Sequence, residues 1–270
     1  MPAGIVDLDD LNPKSGTPQV TLLLVEDEVI VAEDVKRRLE SLGYSVVGMA
    51  TRGKEAIELA VSLQPRLILM DIGLRGGMDG IETVRRIREQ VDIPVIFASA
   101  YSDDTTLQRA RAAGPQGFVL KPFEERELRL TIEMALSKHA ADKLLRDSES
   151  LFRMVLESFP DGVLLEDATR HVKFANASFF RIFNISASIS LEGEDARIGL
   201  SHHQKLIKDY VAFLRRKEEI IHTGVAVMDE VVPTNDGRRI LMSYAPIKDP
   251  KTGVHHLWQY HGAGSSVNRG

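Results

Sequence analysis

The sequence of 270 residues contains no cysteine. Without a thiol there is no disulfide framework, no zinc site built from thiolates and no cysteinyl cofactor adduct. Aromatic residues make up only 6% of the chain, with a single tryptophan. No apolar run approaches the roughly 20 residues that a membrane-spanning helix needs, and the amino-terminal stretch lacks the basic patch and apolar core of a secretory signal. We therefore expect a cytoplasmic, soluble protein without a membrane partner.

The balance of charge is mildly acidic, with 34 Lys and Arg against 39 Asp and Glu and a net charge of −5. Such a chain is poorly suited to general nucleic-acid binding, so no nucleic-acid partner is expected. The hydrophobic content of 43% and the charged content of 27% are typical of a folded globular protein. The length favours two domains.

The first folded region follows a polar tail, predicted over residues 1–18, and extends over residues 19–137. Five short apolar runs alternate there with amphipathic helical segments. Because these runs are continuously apolar, both faces of each strand should be buried. The pattern predicts an α/β domain with a doubly wound, five-stranded parallel sheet.

A helical connector is predicted over residues 124–159, where it overlaps the last helix of the first domain. Leu128, Ile132 and Ala135 should face the sheet. A second stripe has the 3-4 spacing of a coiled-coil seam and consists of Met134, Ser137, Ala141, Leu144, Ser148, Leu151 and Val155. It predicts a homodimer, although one helix lying on its own domain, or a break near Asp147-Ser148, fits the same pattern.

A second domain is predicted over residues 147–262, with a short tail at 263–270. Its pattern changes to period 2, and Asn235-Asp236-Gly237 between two alternating runs is typical of a hairpin. The order of two strands, two helices and three strands predicts an α+β domain with an antiparallel sheet. One of those helices is predicted at Gln204–Ile221, and its Arg215-Arg216-Lys217 run is interpreted as a solvated face balanced by Glu218-Glu219.

Polar residues end four of the five strands predicted in the first domain. They are Glu26-Asp27, Asp71, Ser99 and Lys121. Ligands bind at the carboxyl ends of strands in an open parallel sheet, so these groups should converge. Three clustered carboxylates suit Mg²⁺, a lysine suits a phosphate oxygen, and a serine supplies a hydroxyl donor. Asp71 would then be a carboxylate nucleophile that becomes an aspartyl-phosphate.

This pattern resembles the receiver domain of two-component response regulators. The motifs that carry the resemblance are LLLVEDE, LILMDIGLRGGMDGIE, VIFASAY and GFVLKPF. The resemblance implies a flavodoxin-like fold in which Asp71 accepts the phosphoryl group and Mg²⁺ is held by Asp27, Asp71, the Gly73 carbonyl and, through water, Glu26. It also implies that Ser99 and Lys121 bind the phosphoryl oxygens, that Phe118 is the aromatic switch residue, and that the bond before Pro122 is cis.

The second domain resembles PAS (sensory-box) domains, through the stretch LFRMVLESFPDGVLLEDATRHVKFANASFFRIFNI and three late strands. Its ligand is unknown. An empty or small-molecule pocket that serves dimerisation is favoured over heme, for which His202 and His203 are the candidate axial ligands. The His255-His256 pair alternates across a strand and so cannot chelate one metal.

The resulting hypothesis is a phosphorelay protein that is not itself an enzyme. A histidine kinase or phosphotransfer protein would phosphorylate Asp71, and the connector would signal to the PAS-like domain. The alternatives are a non-phosphorylated adaptor or scaffold, an N-terminal fragment of a larger hybrid histidine kinase, and an aspartate-nucleophile phosphatase. The last is disfavoured because Gly73 stands where those enzymes carry a second aspartate.

Overall fold

The structure, a computed structural model, describes residues 19–100, 104–186, 188–197 and 204–262. The chain divides into two compact units, residues 1–146 and 147–270. Both predicted tails, and the candidate heme ligands His202 and His203, lie outside the described residues.

The first unit alternates strands and helices: β1 Thr21–Val25, α1 Val29–Ser41, β2 Ser45–Ala50, α2 Gly53–Leu63, β3 Leu67–Asp71, α3 Gly80–Arg88, β4 Val95–Ser99, α4 Asp104–Ala112 and β5 Gly117–Leu120. The strands are parallel in the order β2-β1-β3-β4-β5. β1 lies between β2 and β3, so strands are added on both sides of it. This is a doubly wound parallel sheet, and it confirms the predicted fold class.

Two apolar cores cover the faces of this sheet, one including Leu23, Ile68 and Phe97 and the other including Leu22, Leu69 and Ile96. Adjacent residues of one strand thus enter different cores, because successive side chains point to opposite faces. Double-sided burial explains why β3 and β4 are apolar at nearly every position. The polar exceptions stand at the strand ends, which is where the candidate site lies.

The connector is one unbroken 34-residue helix, α5, over Glu125–Ser158, and the break considered near Asp147-Ser148 does not occur. Its first turns bury Leu128, Ile132 and Ala135, as the spacing predicts. The helix continues into the second unit without interruption.

The second unit contains β6 Gly162–Glu166, β7 Val172–Ala175, α6 Ala177–Ile182, α7 Tyr210–Thr223, β8 Val227–Pro233, β9 Arg239–Asp249 and β10 Gly253–Gly262. Its sheet is antiparallel in the order β7-β6-β10-β9-β8. The prediction for α7 was too long at its start, because Asp209 caps that helix by accepting from the Ala212 amide at 2.9 Å. Among the described residues, no helix is both long and apolar enough to cross a membrane.

Candidate phosphoryl-transfer site

The carboxyl edge of the parallel sheet brings the predicted site residues together. Glu26 and Asp27 follow β1, Asp71 ends β3, Ser99 ends β4 and Lys121 follows β5. β1, β3, β4 and β5 follow one another in the sheet, so residues as far apart in the chain as Glu26 and Lys121, 95 positions, meet at one edge. With Gly73 they line one cavity of about 560 Å³.

Three carboxylates form the acidic part of this cavity. Glu26, Asp27 and Asp71 each place one oxygen so that all three oxygens lie within 4.8 Å of one another. Glu26 is 3% exposed and Asp71 8% exposed. Burial, together with the charge of Asp71, raises the pKa of Glu26 although its hydrogen bond to Lys121 opposes the shift. Such a cluster of partly desolvated oxygen ligands fits a hard divalent cation such as Mg²⁺.

Lys121 is the counter-charge of the cluster. Its Nζ lies 2.5 Å from Oε2 of Glu26 and 3.2 Å from Oδ2 of Asp71. Burial alone would lower the pKa of Lys121, but the hydrogen bond to Glu26 and the charge of Asp71 outweigh it and raise that pKa. Lys121 is therefore a fixed cation beside Asp71. The Lys121–Pro122 peptide bond is cis.

The remaining predicted residues lie on β4, β5 and the loop after β3. Ser99 is 6% exposed. Phe118 is half-buried on β5, with its ring centroid 5.8 Å from that of Phe97. The Gly73 amide donates to Oδ1 of Asp71 at 3.1 Å, which fixes the orientation of that carboxylate.

Sequence reasoning missed two arginines at the rim of the cavity. The guanidinium of Arg75 lies 3.4 Å from Asp27 and 3.7 Å from Glu28. That of Arg109, on α4, lies 2.7 Å from Oδ2 of Asp79. Asp79 caps the start of α3, after Gly76 and Gly77, and a helix N-cap is the only role that its sequence position predicts. Nothing in the spacing of Arg109 pointed to this contact.

The second unit has a buried ionic cluster on the inner face of its sheet. Glu166 receives hydrogen bonds from Arg170 at 2.6 Å and from Lys217 at 3.0 Å. Lys217 is 1% exposed, so its interpretation as part of a solvated face was wrong. The signal was present, since Lys217 is four residues after Phe213 and three before Ile220, both buried on the same face of α7.

Several polar side chains of the second unit form hydrogen bonds within it, including the His255-His256 pair. Asn176, the cap of α6, accepts from the Val163 and Phe179 amides. His256 is buried against the Tyr244 hydroxyl at 2.9 Å, whereas His255 contacts Thr252, so the two rings do face opposite sides. The Nε1 of Trp258 is buried without a hydrogen-bond partner among the described residues.

Comparisons with known proteins agree with both halves of this description. The family model "Response regulator receiver domain" matches residues 22–133, and a PAS domain model matches residues 150–218. The transcriptional regulatory protein PdtaR of Mycobacterium tuberculosis is 35% identical over 117 residues, which are 43% of this chain and 57% of its own length. The KDP operon transcriptional regulatory protein KdpE of Escherichia coli is 36% identical over 120 residues, 44% of this chain and 52% of its length.

The chain thus spans about half the length of these curated relatives. Among solved structures, the signal receiver domain of a modulated diguanylate cyclase from Desulfovibrio desulfuricans is 38% identical, with a TM-score of 0.45 over 46% of this chain and 99% of that one. The residues at the carboxyl edge of the first sheet and the two model matches lead to one conclusion: the chain carries a response regulator receiver domain followed by a PAS domain.

Proposed function

We propose that the chain is a two-component response regulator in which Asp71 accepts a phosphoryl group from a phosphohistidine donor. The observation that carries this proposal is the single cavity that contains Asp71, a second pair of carboxylates, Ser99 and Lys121. Phosphoryl transfer requires mainly positioning and neutralisation of charge, and these groups supply both. The matched receiver and PAS domains fit a regulator that is not itself an enzyme.

In the proposed transfer, a carboxylate oxygen of Asp71 attacks the phosphorus of the donor. The O–P bond forms while the P–N bond breaks, and the leaving imidazole takes a proton from solvent. Lys121 Nζ, already 3.2 Å from Asp71, and the Ser99 hydroxyl would hold phosphoryl oxygens. Glu26, Asp27, Asp71 and the Gly73 carbonyl would hold Mg²⁺, which supplies neutralisation of the oxygen charges when bound. The products are an aspartyl-phosphate and a free histidine.

Acetyl phosphate with Mg²⁺ is expected to add one phosphoryl group to the protein, as read by intact mass. Asp71→Asn and EDTA should each abolish the gain, because one removes the nucleophile and the other the cation. Asp34→Asn, at an exposed carboxylate paired with Arg38 on α1, should leave it unchanged. A folded wild-type protein that gains no mass, or an Asp71→Asn variant that still gains it, would contradict the proposal.

We further propose that α5 links the receiver to the PAS domain and pairs with α5 of a second copy. The predicted seam is exposed along the helix, with Met134 at 71%, Leu144 at 72% and Leu151 at 61%. Leu130, four residues before Met134, extends the 3-4 spacing by one position. Beside the seam, Glu133 and Lys138 occupy the flanking positions whose side chains would meet across a parallel pair, with opposite charges.

The double variant Leu144→Asp/Leu151→Asp is expected to convert a dimer into a monomer in size-exclusion chromatography with light scattering. Each helix of the pair would carry two aspartates in the seam, and these would be buried opposite the same two aspartates of the other helix. Burying unpaired like charges in a coiled-coil core is strongly unfavourable. The control is Lys143→Asp/Ser150→Asp on another face of the same helix turns, which should remain dimeric. A wild-type protein that is monomeric at all accessible concentrations would refute the pairing of α5.

A further inference from the structure

The pair formed by Arg109 and Asp79 lies at the rim of the cavity that holds Asp71. Both residues line that cavity, and Nη2 of Arg109 is 2.7 Å from Oδ2 of Asp79. The Arg109 side chain is 54% exposed and that of Asp79 is 33% exposed. An ion pair this accessible is weakly held, since solvent-exposed pairs contribute roughly 0–1 kcal/mol. The guanidinium is therefore able to change partner.

Asp79 connects this pair to the strand that carries Asp71. Its Oδ1 accepts from the Glu82 amide at 2.8 Å and so caps α3. The next residue, Gly80, donates its amide to the carbonyl of Ile72 at 3.1 Å and packs against the backbone of Asp71. Through Arg109, helix α4 is thus joined to the start of α3 and to the end of β3.

The other cations of the cavity are already paired with the acidic cluster. Lys121 lies between Glu26 and Asp71, and Arg75 contacts Asp27 and Glu28. A phosphoryl group on Asp71 would replace one negative charge by about two. The guanidinium of Arg109 binds only one oxygen of Asp79. A phosphoryl group is a better partner, because the planar fork of arginine can donate two parallel hydrogen bonds to it.

We propose that Arg109 is a second phosphoryl-binding cation, which leaves Asp79 and binds an oxygen of phosphorylated Asp71, so that α4 reports the state of the site. This inference rests on the proposed function. Arg109 lies on α4. The other residues proposed to bind the phosphoryl group stand at the ends of strands. Binding of Arg109 by the phosphoryl group would tie the helix over Asp104–Ala112 more tightly to the sheet.

Hydrogen exchange of residues 104–112, with and without Mg²⁺ and beryllofluoride, tests the proposal in the full chain. Beryllofluoride stands in for the phosphoryl group. In the wild-type protein we expect it to slow exchange in α4 about tenfold, the equivalent of one charge-assisted hydrogen bond. Arg109→Ala should reduce this response to less than about twofold. Arg109→Lys, which keeps a charge but not the fork, should respond in between.

Arg111→Ala, an exposed arginine two residues away on the same helix, is the matched control and should respond like the wild type. Asp79→Asn, which weakens the initial ion pair but keeps a capping oxygen, should speed exchange in α4 without beryllofluoride. An Arg109→Ala variant with the full wild-type response would overturn the role of Arg109. A wild-type protein that binds neither beryllofluoride nor a phosphoryl group would instead overturn the proposed function itself.

Discussion

Replacement of Glu166 by Gln is expected to lower the free energy of unfolding of the PAS unit by about 3–5 kcal/mol. Glu166 is fully buried and neutralises two cations, Arg170 and Lys217. Burial alone would raise the pKa of Glu166, but the charges of Lys217 and Arg170 outweigh it and hold that pKa below its ordinary value. The carboxylate is thus charged, and its loss leaves buried positive charge uncompensated.

Most of the loss in the free energy of unfolding would come from Lys217, which is buried. Burial already lowers its pKa, against the opposing charge of Glu166. Its Nζ also lies 4.3 Å from the centroid of the Trp258 ring, which would offset only part of the lost charge. Arg170 would suffer less, because it also pairs with the half-exposed Glu218 at 2.7 Å.

The only tryptophan of the chain makes this prediction measurable in the intact protein, since Trp258 is buried within the affected unit. Urea unfolding followed by its fluorescence reports the PAS unit. Glu230→Gln, at a more accessible ion pair with Arg216, should cost less than about 1 kcal/mol. Adding Lys217→Met to Glu166→Gln should recover part of the loss. Equal midpoints for Glu166→Gln and Glu230→Gln would contradict the assigned role of the buried cluster.

The same cluster shows where sequence reasoning stops. Lys217 lies in a run of charged residues, three basic and then two acidic, and charge density alone predicts a solvent-exposed face. Helical periodicity places it between Phe213 and Ile220, on the buried face, and here periodicity was the better guide. That its partner would be Glu166 on β6 depends on how α7 crosses the sheet, which no local pattern contains.

The receiver site was more predictable because sheet topology alone brings its residues together. Once β1, β3 and β4 are parallel neighbours, Asp27, Asp71 and Ser99 must meet at one edge. The rim residues Arg75 and Arg109 were not predictable in this way. They belong to a loop and a helix, whose orientation depends on packing and not on strand order.

Gly80→Ala is expected to destabilise the receiver unit by about 3 kcal/mol, at the upper end of the cost of overpacking. A Cβ at position 80 would overlap the backbone oxygen of Asp71 and lie 2.9 Å from its carbonyl carbon and 3.1 Å from the Cα of Ile72. These are backbone atoms, so they cannot yield by a change of rotamer. Either α3 or the end of β3 must move, and Asp71 moves with the latter.

The matched control is Gly73→Ala, whose added Cβ would lie 3.8 Å from the nearest Asp71 carboxylate oxygen, an ordinary van der Waals distance. It should change stability by less than about 0.5 kcal/mol. Hydrogen exchange of the β3 amides, Leu67–Asp71, measures the effect, and phosphoryl gain from acetyl phosphate measures its consequence. Because a displaced Asp71 would lose its contact with Lys121, Gly80→Ala should also slow phosphorylation. If the β3 amides of this variant exchange at the wild-type rate, α3 is not pressed against the strand that ends at Asp71.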